Sequence, residues 1–409
     1  MKTARSALGR REFIKRGALA SLGVGLMGFA RKAAAAIPAS GVKRYHELGR
    51  TGMRISDISF GSSGLDAGSE DLVLKALDGG INYFDTANDY SGGESEATIG
   101  NALRGHRDKV FIASKVTARP DDSRDAIMQE LEGSLRRLQT DHVDVYFNHA
   151  VNDLARLQNP EWYEFAALAK KQGKIRFTGV SGHAGRLAEC LDYAIDSGHF
   201  DVILGAYNFG QDPRFYQRFL RNFDVIAVQP ELPRLIQKAK AKGMGYIAMK
   251  TLMGARLNDM RSFERDGATF SQAAFRWVLS NPDVDGLVVT MKNGALIDEY
   301  LGASGARASA ETDAPLLARY MLLNGSSHCR QGCDLCESAC PAGVPIADVL
   351  RTRMYARDYG DLRLARDNYA RLGAGASACL SCAHHACAGA CPHGVRTDEL
   401  AGATHRMLS

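Results

Sequence analysis

Val110-Phe111-Ile112-Ala113, then Ile127, Leu131, Leu135 and Leu138 at helical spacing, then Val143-Asp144-Val145-Tyr146-Phe147 make up one strand–helix–strand unit. Short apolar, β-branched runs on either side of a stretch with three-and-four periodicity read as buried strands around an amphipathic helix. Working outward, the same alternation repeats from Ile55 to Gly302. Further strands are expected at Asp57-Ile58-Ser59-Phe60, Ile81-Asn82-Tyr83-Phe84, Ile175 to Val180, Val202-Ile203-Leu204, Gly245-Tyr246-Ile247-Ala248 and Gly286-Leu287-Val288-Val289. Eight strand–helix units in about 250 residues suit an α/β chain folded as a (β/α)8 TIM barrel better than an open doubly wound sheet. The barrel is expected over residues 44–302.

Residues 303–327 read as a connector of Gly, Ala and Ser with Pro315 and a short apolar helix, Leu316 to Leu323. Residues 328–409 form a second unit. Ile346, Val349, Leu350 and Met354, then Tyr359, Leu362 and Leu364, give it helical rather than alternating spacing.

Eight of the nine cysteines fall in this second unit, in two runs that each end in Cys-Pro: Cys329, Cys333, Cys336, Cys340-Pro341 and Cys379, Cys382, Cys387, Cys391-Pro392. Cys-x2-Cys spacing also suits structural zinc, and exported chains use cysteines for disulfides. The paired Cys-Pro endings favour iron. They resemble those of bacterial two-cluster ferredoxins, in which three close cysteines hold one cluster and the fourth, before proline, reaches the other. The resemblance implies a small α-helical ferredoxin-like domain with two 4Fe-4S clusters held by all eight thiolates. Two spacings depart from it: three residues separate Cys329 from Cys333, and four, including His384 and His385, separate Cys382 from Cys387.

Residues 1–36 carry Arg10-Arg11-Glu12-Phe13-Ile14-Lys15, an apolar stretch from Ala18 to Ala30, and Ala33-Ala34-Ala35-Ala36. This resembles a cleavable twin-arginine export signal, which implies the twin-arginine machinery as a partner and a periplasmic destination. The apolar stretch is short of the roughly 20 residues a permanent membrane helix needs. Twin-arginine export carries folded proteins, which suits a cofactor inserted in the cytoplasm. Removing the +7 carried by residues 1–36 from the chain's +5 leaves −2, so the basic balance implies no nucleic-acid partner. Gly23-Val24-Gly25-Leu26-Met27-Gly28 matches a dinucleotide fingerprint but follows no strand and is set aside.

In a barrel of this kind the chemistry sits at the C-terminal ends of the strands. The polar residues there are Asp85 and Tyr90 after the second strand, Lys115 after the third and His149 after the fourth. In order and context they resemble the Asp, Tyr, Lys, His tetrad of the aldo-keto reductase family. Leu48-Gly49-Arg50-Thr51-Gly52, Phe84-Asp85-Thr86-Ala87, Gly93-Glu94-Ser95-Glu96 with Ile99-Gly100, and Gly179-Val180-Ser181 match too. The second unit places the chain beside family members with a ferredoxin-like domain. The resemblance implies an oxidoreductase that moves hydride between NAD or NADP and a small carbonyl or alcohol substrate. A lysine beside a phenol favours phenolate, so Lys115, held by Asp85, is expected to lower the Tyr90 pKa. Tyr90 then acts as proton donor while His149 orients the carbonyl oxygen.

For the cofactor the resemblance implies Ser181, Met249, Lys250 and Lys292. Gly182 replaces the usual Asn, Leu204 the usual Gln, Met249 the stacking aromatic, and Thr290-Met291-Lys292 with Leu296 the phosphate clamp. These departures raise a second reading, an iron-sulfur electron-transfer protein with a redox partner, whose barrel no longer uses nicotinamide productively.

Overall fold

The computed structural model describes residues 41–212, 231–253, 260–265 and 268–409. The signal-like segment, residues 1–36, lies outside them. A hairpin of β1 (Tyr45–Glu47) and β2 (Arg54–Ser56) precedes eight parallel strands. These are β3 (Ile58–Gly61), β4 (Tyr83–Asp85), β5 (Phe111–Val116), β6 (Val143–Asn148), β7 (Ile175–Gly182), β8 (Val202–Ala206), β9 (Gly245–Met249) and β10 (Gly286–Thr290). They close in the order β10-β3-β4-β5-β6-β7-β8-β9, so the expected barrel is present and all eight strands fall where the apolar runs stand.

Inside the barrel, Tyr83, Val145, Phe147, Val202, Leu204, Ile247 and Val288 pack with Leu48, Met53 and Ile55 of the hairpin, which plugs the end where the strands begin. Asp285 pins that plug by accepting from Gly49 N at 3.1 Å, Tyr246 N at 3.0 Å and Lys240 Nζ at 2.5 Å. Gly49 has φ +50°, and a Cβ there would lie 2.3 Å from Gly245 N, so only glycine fits this turn.

The outer layer comprises α1 (Glu70–Asp78), α2 (Glu94–Ala102), α3 (Arg124–Leu138), α4 (Leu154–Leu157), α5 (Pro160–Lys171), α6 (Leu187–Ser197), α7 (Glu231–Ala241), α8 (Phe270–Leu279) and α9 (Gly294–Leu301). Local chemistry starts them: Asn159 caps α5 by accepting from Glu161 N, with Pro160 in the first turn where its missing N–H costs nothing.

Beyond the barrel, α10 (Asp313–Asn324) is fixed to α8 by a buried two-pronged pair, Arg276 Nε and Nη2 to Asp313 at 2.8 and 2.6 Å. Four helices follow: α11 (Ile346–Arg357), α12 (Leu362–Ala370), α13 (Ala386–Ala390) and α14 (Thr397–Leu408). Ile346, Val349, Leu350, Met354, Tyr369, Val395, Ala401 and Leu408 give this segment a core of its own. It meets the barrel at residues just after β6, β7 and β8. Asn152 Nδ2 donates to Asp348 at 2.6 Å, Gly332 N to Ala184 O at 3.1 Å, and Asn208 Nδ2 to Gln331 Oε1 at 3.1 Å. The helical segment therefore covers the mouth at which the strands end. No helix among the described residues is long and apolar enough to cross a membrane.

Candidate active site

The four residues expected at the strand ends come together. Asp85 ends β4, Lys115 lies near the end of β5, and His149 follows β6. Tyr90 opens a tight turn in which Ser91, Gly92 and Gly93 all have positive φ, so the paired glycines swing the chain into α2 directly after the phenol. Lys115 Nζ donates to Asp85 Oδ1 at 2.7 Å and to Thr86 O at 2.6 Å, and lies 4.7 Å from the Tyr90 ring centroid. The His149 ring stands edge-on to Tyr90 at 5.6 Å, with Nδ1 3.7 Å from Asp89 Oδ1.

The electrostatics differ from expectation in one respect. Tyr90 is held well above the ordinary phenol value, first by burial and then by the carboxylates of Asp85 and Asp89. The Lys115 charge, paired at 2.7 Å with Asp85, does not bring the phenol below its ordinary value as the sequence suggested. Burial also raises Asp85 despite Lys115. His149 is pushed well below the usual imidazole value by burial, then by Lys115 and Arg156, so its ring is neutral at neutral pH.

Sequence reasoning missed Arg156. From α4 it donates to Ala118 O at 2.6 Å, Ala150 O at 3.0 Å, Asn148 Oδ1 at 2.7 Å and His149 O at 2.7 Å, fixing the backbone that presents His149. No local pattern distinguishes it from a surface arginine.

The cofactor residues divide. Ser181 Oγ accepts from Ala150 N at 3.0 Å, which leaves its hydroxyl proton for a carboxamide oxygen. Gly182 has no room for the family's side chain, because a Cβ would meet Leu187 Cδ1 at 2.8 Å and Val151 O at 2.9 Å. Met249 packs against the barrel interior. Lys250 has φ +57° and stands over two aromatic rings of the helical segment, 5.3 Å from Tyr355 and 4.9 Å from Tyr359. Burial pushes its pKa down to about 7. Lys292 Nζ donates to Tyr359 O at 3.4 Å. Ser181 thus keeps a hydroxyl proton at the reacting end, while the two lysines are engaged by Tyr355 and Tyr359, neither of which was among the expected site residues.

None of the nine cysteines is in a disulfide. Among the described residues no three His, Cys, Asp or Glu side chains converge at metal-holding distance. The thiols nevertheless act on one another across the runs in two overlapping sets, since Cys387 of the second also pushes up Cys336 of the first. Cys329 is pushed up by burial and then by Cys333, Cys336 and Cys391. Cys379 is pushed up by burial and then by Cys340, Cys387 and Cys382. His385, in the four-residue gap of the second run, adopts φ +49° and lets the chain turn before Cys387.

A closed eight-stranded parallel barrel with this strand-end constellation defines a (β/α)8 oxidoreductase. The profile of the Aldo/keto reductase family matches residues 57–313, and the chain belongs to that family of NAD(P)-dependent oxidoreductases. It is 35% identical over 164 residues to the oxidoreductase YrpG of Bacillus subtilis, a match spanning 34% of this chain and 50% of that relative. It is 25% identical over 280 residues to L-galactose dehydrogenase of Arabidopsis thaliana, covering 63% of this chain and 86% of the plant protein. A thermostable aldo-keto reductase solved with the inhibitor epalrestat superposes with TM-score 0.54 at 28% identity, over 67% of this chain and 98% of that one.

Proposed function

We propose that the chain exchanges hydride between NAD or NADP and a small carbonyl or alcohol substrate, with Tyr90 as the acid and base. The observation that carries this is the buried Lys115, held 2.7 Å from Asp85 and 4.7 Å from the Tyr90 ring. A bound nicotinamide would supply the hydride. A phenol held high stays protonated across neutral pH and yields its proton only to a strongly basic oxygen, such as the alkoxide formed when hydride reaches a carbonyl carbon. Lys115 holds the phenol in place. Neutral His149 is suited to hydrogen-bond the same oxygen, and Ser181 to orient the carboxamide. Carbonyl-dependent oxidation of NADPH or NADH by purified protein tests the reading. No turnover of short aldehydes, ketones or their alcohols in either direction would count against it.

The Arg10-Arg11 segment supports periplasmic export by the twin-arginine route. The two thiol sets support two 4Fe-4S clusters, one on Cys329, Cys333, Cys336 and Cys391, the other on Cys340, Cys379, Cys382 and Cys387. Such clusters would supply one-electron transfer or bind the helical segment together. A hydride enzyme in a compartment without a replenished nicotinamide pool must keep its cofactor, and the cover of Lys250 and Lys292 by Tyr355 and Tyr359 supports retention. The same cover is what favours the second reading, electron transfer to a redox partner with no productive nicotinamide. Denaturing exported protein and assaying the released NAD(P) separates them: stoichiometric cofactor supports the first, and its absence with intact clusters supports the second.

A further inference from the structure

A cavity of about 280 Å³ lies between residues 183–185 after β7, the stretch 324–331 after α10, and α11. Its lining includes four guanidinium groups, Arg330, Arg351, Arg353 and Arg357, and one carboxylate, Asp358. Arg353 and Arg357 stand one turn apart on α11, where like charges repel. Neither makes a hydrogen bond or ion pair with the described residues, and Asp358 is the carboxylate that acts on both. Arg351 donates from Nη1 to Asn368 Oδ1 at 3.4 Å and Tyr355 Oη at 3.5 Å, whereas its Nε has no hydrogen-bond partner and is 3.7 Å from Asp348 Oδ1. A second observation comes from the opposite wall. His183 is only 7% exposed, and its Nδ1 is buried without a partner while Nε2 is occupied by the Tyr355 hydroxyl.

We propose that this cavity binds a small organic or inorganic oxyanion, with Arg351, Arg353 and Arg357 as the recognition set and His183 Nδ1 as a further polar contact. Guanidinium forks match carboxylate and phosphate oxygens in geometry as well as charge. An occupant would add negative charge where Asp358 is the one carboxylate in the lining beside four guanidinium groups. The site is distinct from the carbonyl site, whose Asp85, Tyr90, Lys115 and His149 do not line it, and from the Thr290 to Lys292 segment at the position of the family's phosphate clamp. Tyr355 separates the two, with its hydroxyl on His183 and its ring under Lys250. Cys329 also lines the cavity, so the test uses full-length protein purified anaerobically with its iron.

Calorimetric titration with succinate, inorganic phosphate and, as a neutral control, glycerol tests the proposal in low-salt chloride buffer. Saturable binding of succinate, phosphate or both, but not glycerol, is expected, and the pattern assigns the anion class. Affinity should fall at least tenfold in the Arg353→Met/Arg357→Met double variant and remain unchanged in Lys292→Met. Arg357 is exposed at the rim, so Arg357→Met alone, checked for iron content and circular dichroism, keeps the test valid if the double variant does not fold. It should weaken binding severalfold. Absence of heat with both anions, or affinity unmoved by either arginine variant, would overturn the proposal.

Discussion

The hydroxyl of Tyr355 on α11 lies 2.9 Å from Nε2 of His183, two residues beyond Ser181 at the end of β7. One hydrogen bond thus ties the cysteine-bearing segment to the barrel mouth, and the same tyrosine ring covers Lys250 at 5.3 Å. Tyr355→Phe keeps the ring and removes the bond. It should cost about 1 kcal/mol of stability with little change in KM. Tyr355→Ala also uncovers Lys250 and should accelerate release of bound nicotinamide. Dissociation measured by fluorescence after rapid dilution checks this; equal release rates in both variants would show that the ring is not a cover.

Tyr90→Phe removes one hydroxyl and almost no volume. It should lower kcat by roughly 100- to 10,000-fold while circular dichroism and thermal midpoint stay within error of the parent. Retained turnover would show that another group donates the proton.

Asp85 and Lys115 form a buried pair, each under 5% exposed. Removing one partner of such a pair typically costs about 3–5 kcal/mol, so Lys115→Met should be markedly less stable in urea denaturation. Burial already raises the Asp85 carboxyl, and loss of the ammonium raises it further. An acid whose folded pKa lies above its unfolded one adds stability at low pH that is lost as pH rises through the folded value. The deficit of Lys115→Met should therefore be smallest in acid and grow towards neutrality.

Lys250 has the opposite profile. Its pKa is about 7 in the folded chain against an ordinary 10.5, so between those values the unfolded chain binds the extra proton and stability rises with pH. Lys250→Met should abolish that rise. Thermal midpoints at pH 6.5, 8 and 9.5 should converge to within about 2 °C in the variant, equivalent to about 1 kcal/mol or less, against a parent whose stability rises by roughly 3 kcal/mol over the same span.

The barrel was legible because each strand is a short apolar run set off by helical periodicity; β6 differs from its apolar run only by adding Asn148, whose partner is Val180. The tetrad was legible because its order along the chain equals its order around the strand ends. What stayed hidden depends on contacts across long sequence separations. His183 and Tyr355 are 172 residues apart, and nothing local to either indicates that α11 lies across the mouth. The net direction of the Tyr90 shift was hidden for a different reason: sequence places an ammonium near the phenol but does not reveal that burial and two carboxylates outweigh it.

The cross-run grouping of thiols makes a prediction that neither run alone would make. Cys391 belongs to the second run by sequence but acts on Cys329, Cys333 and Cys336 of the first. Cys340, conversely, acts on Cys379 of the second. If the sets hold two cubane clusters, the anaerobic parent should contain about eight irons and lose its broad visible absorbance with dithionite. Cys391→Ser should then damage the cluster held by the first run and leave the one on Cys379, Cys382 and Cys387. Cys340→Ser should do the reverse. Adding Cys333→Ser to Cys391→Ser should cost no further iron, since both ligate one cluster, whereas adding Cys382→Ser should remove most of what remains. Iron analysis with electron paramagnetic resonance of the reduced variants reads this directly. Loss of iron that follows the runs instead of crossing them, or zinc in place of iron, would reject the assignment.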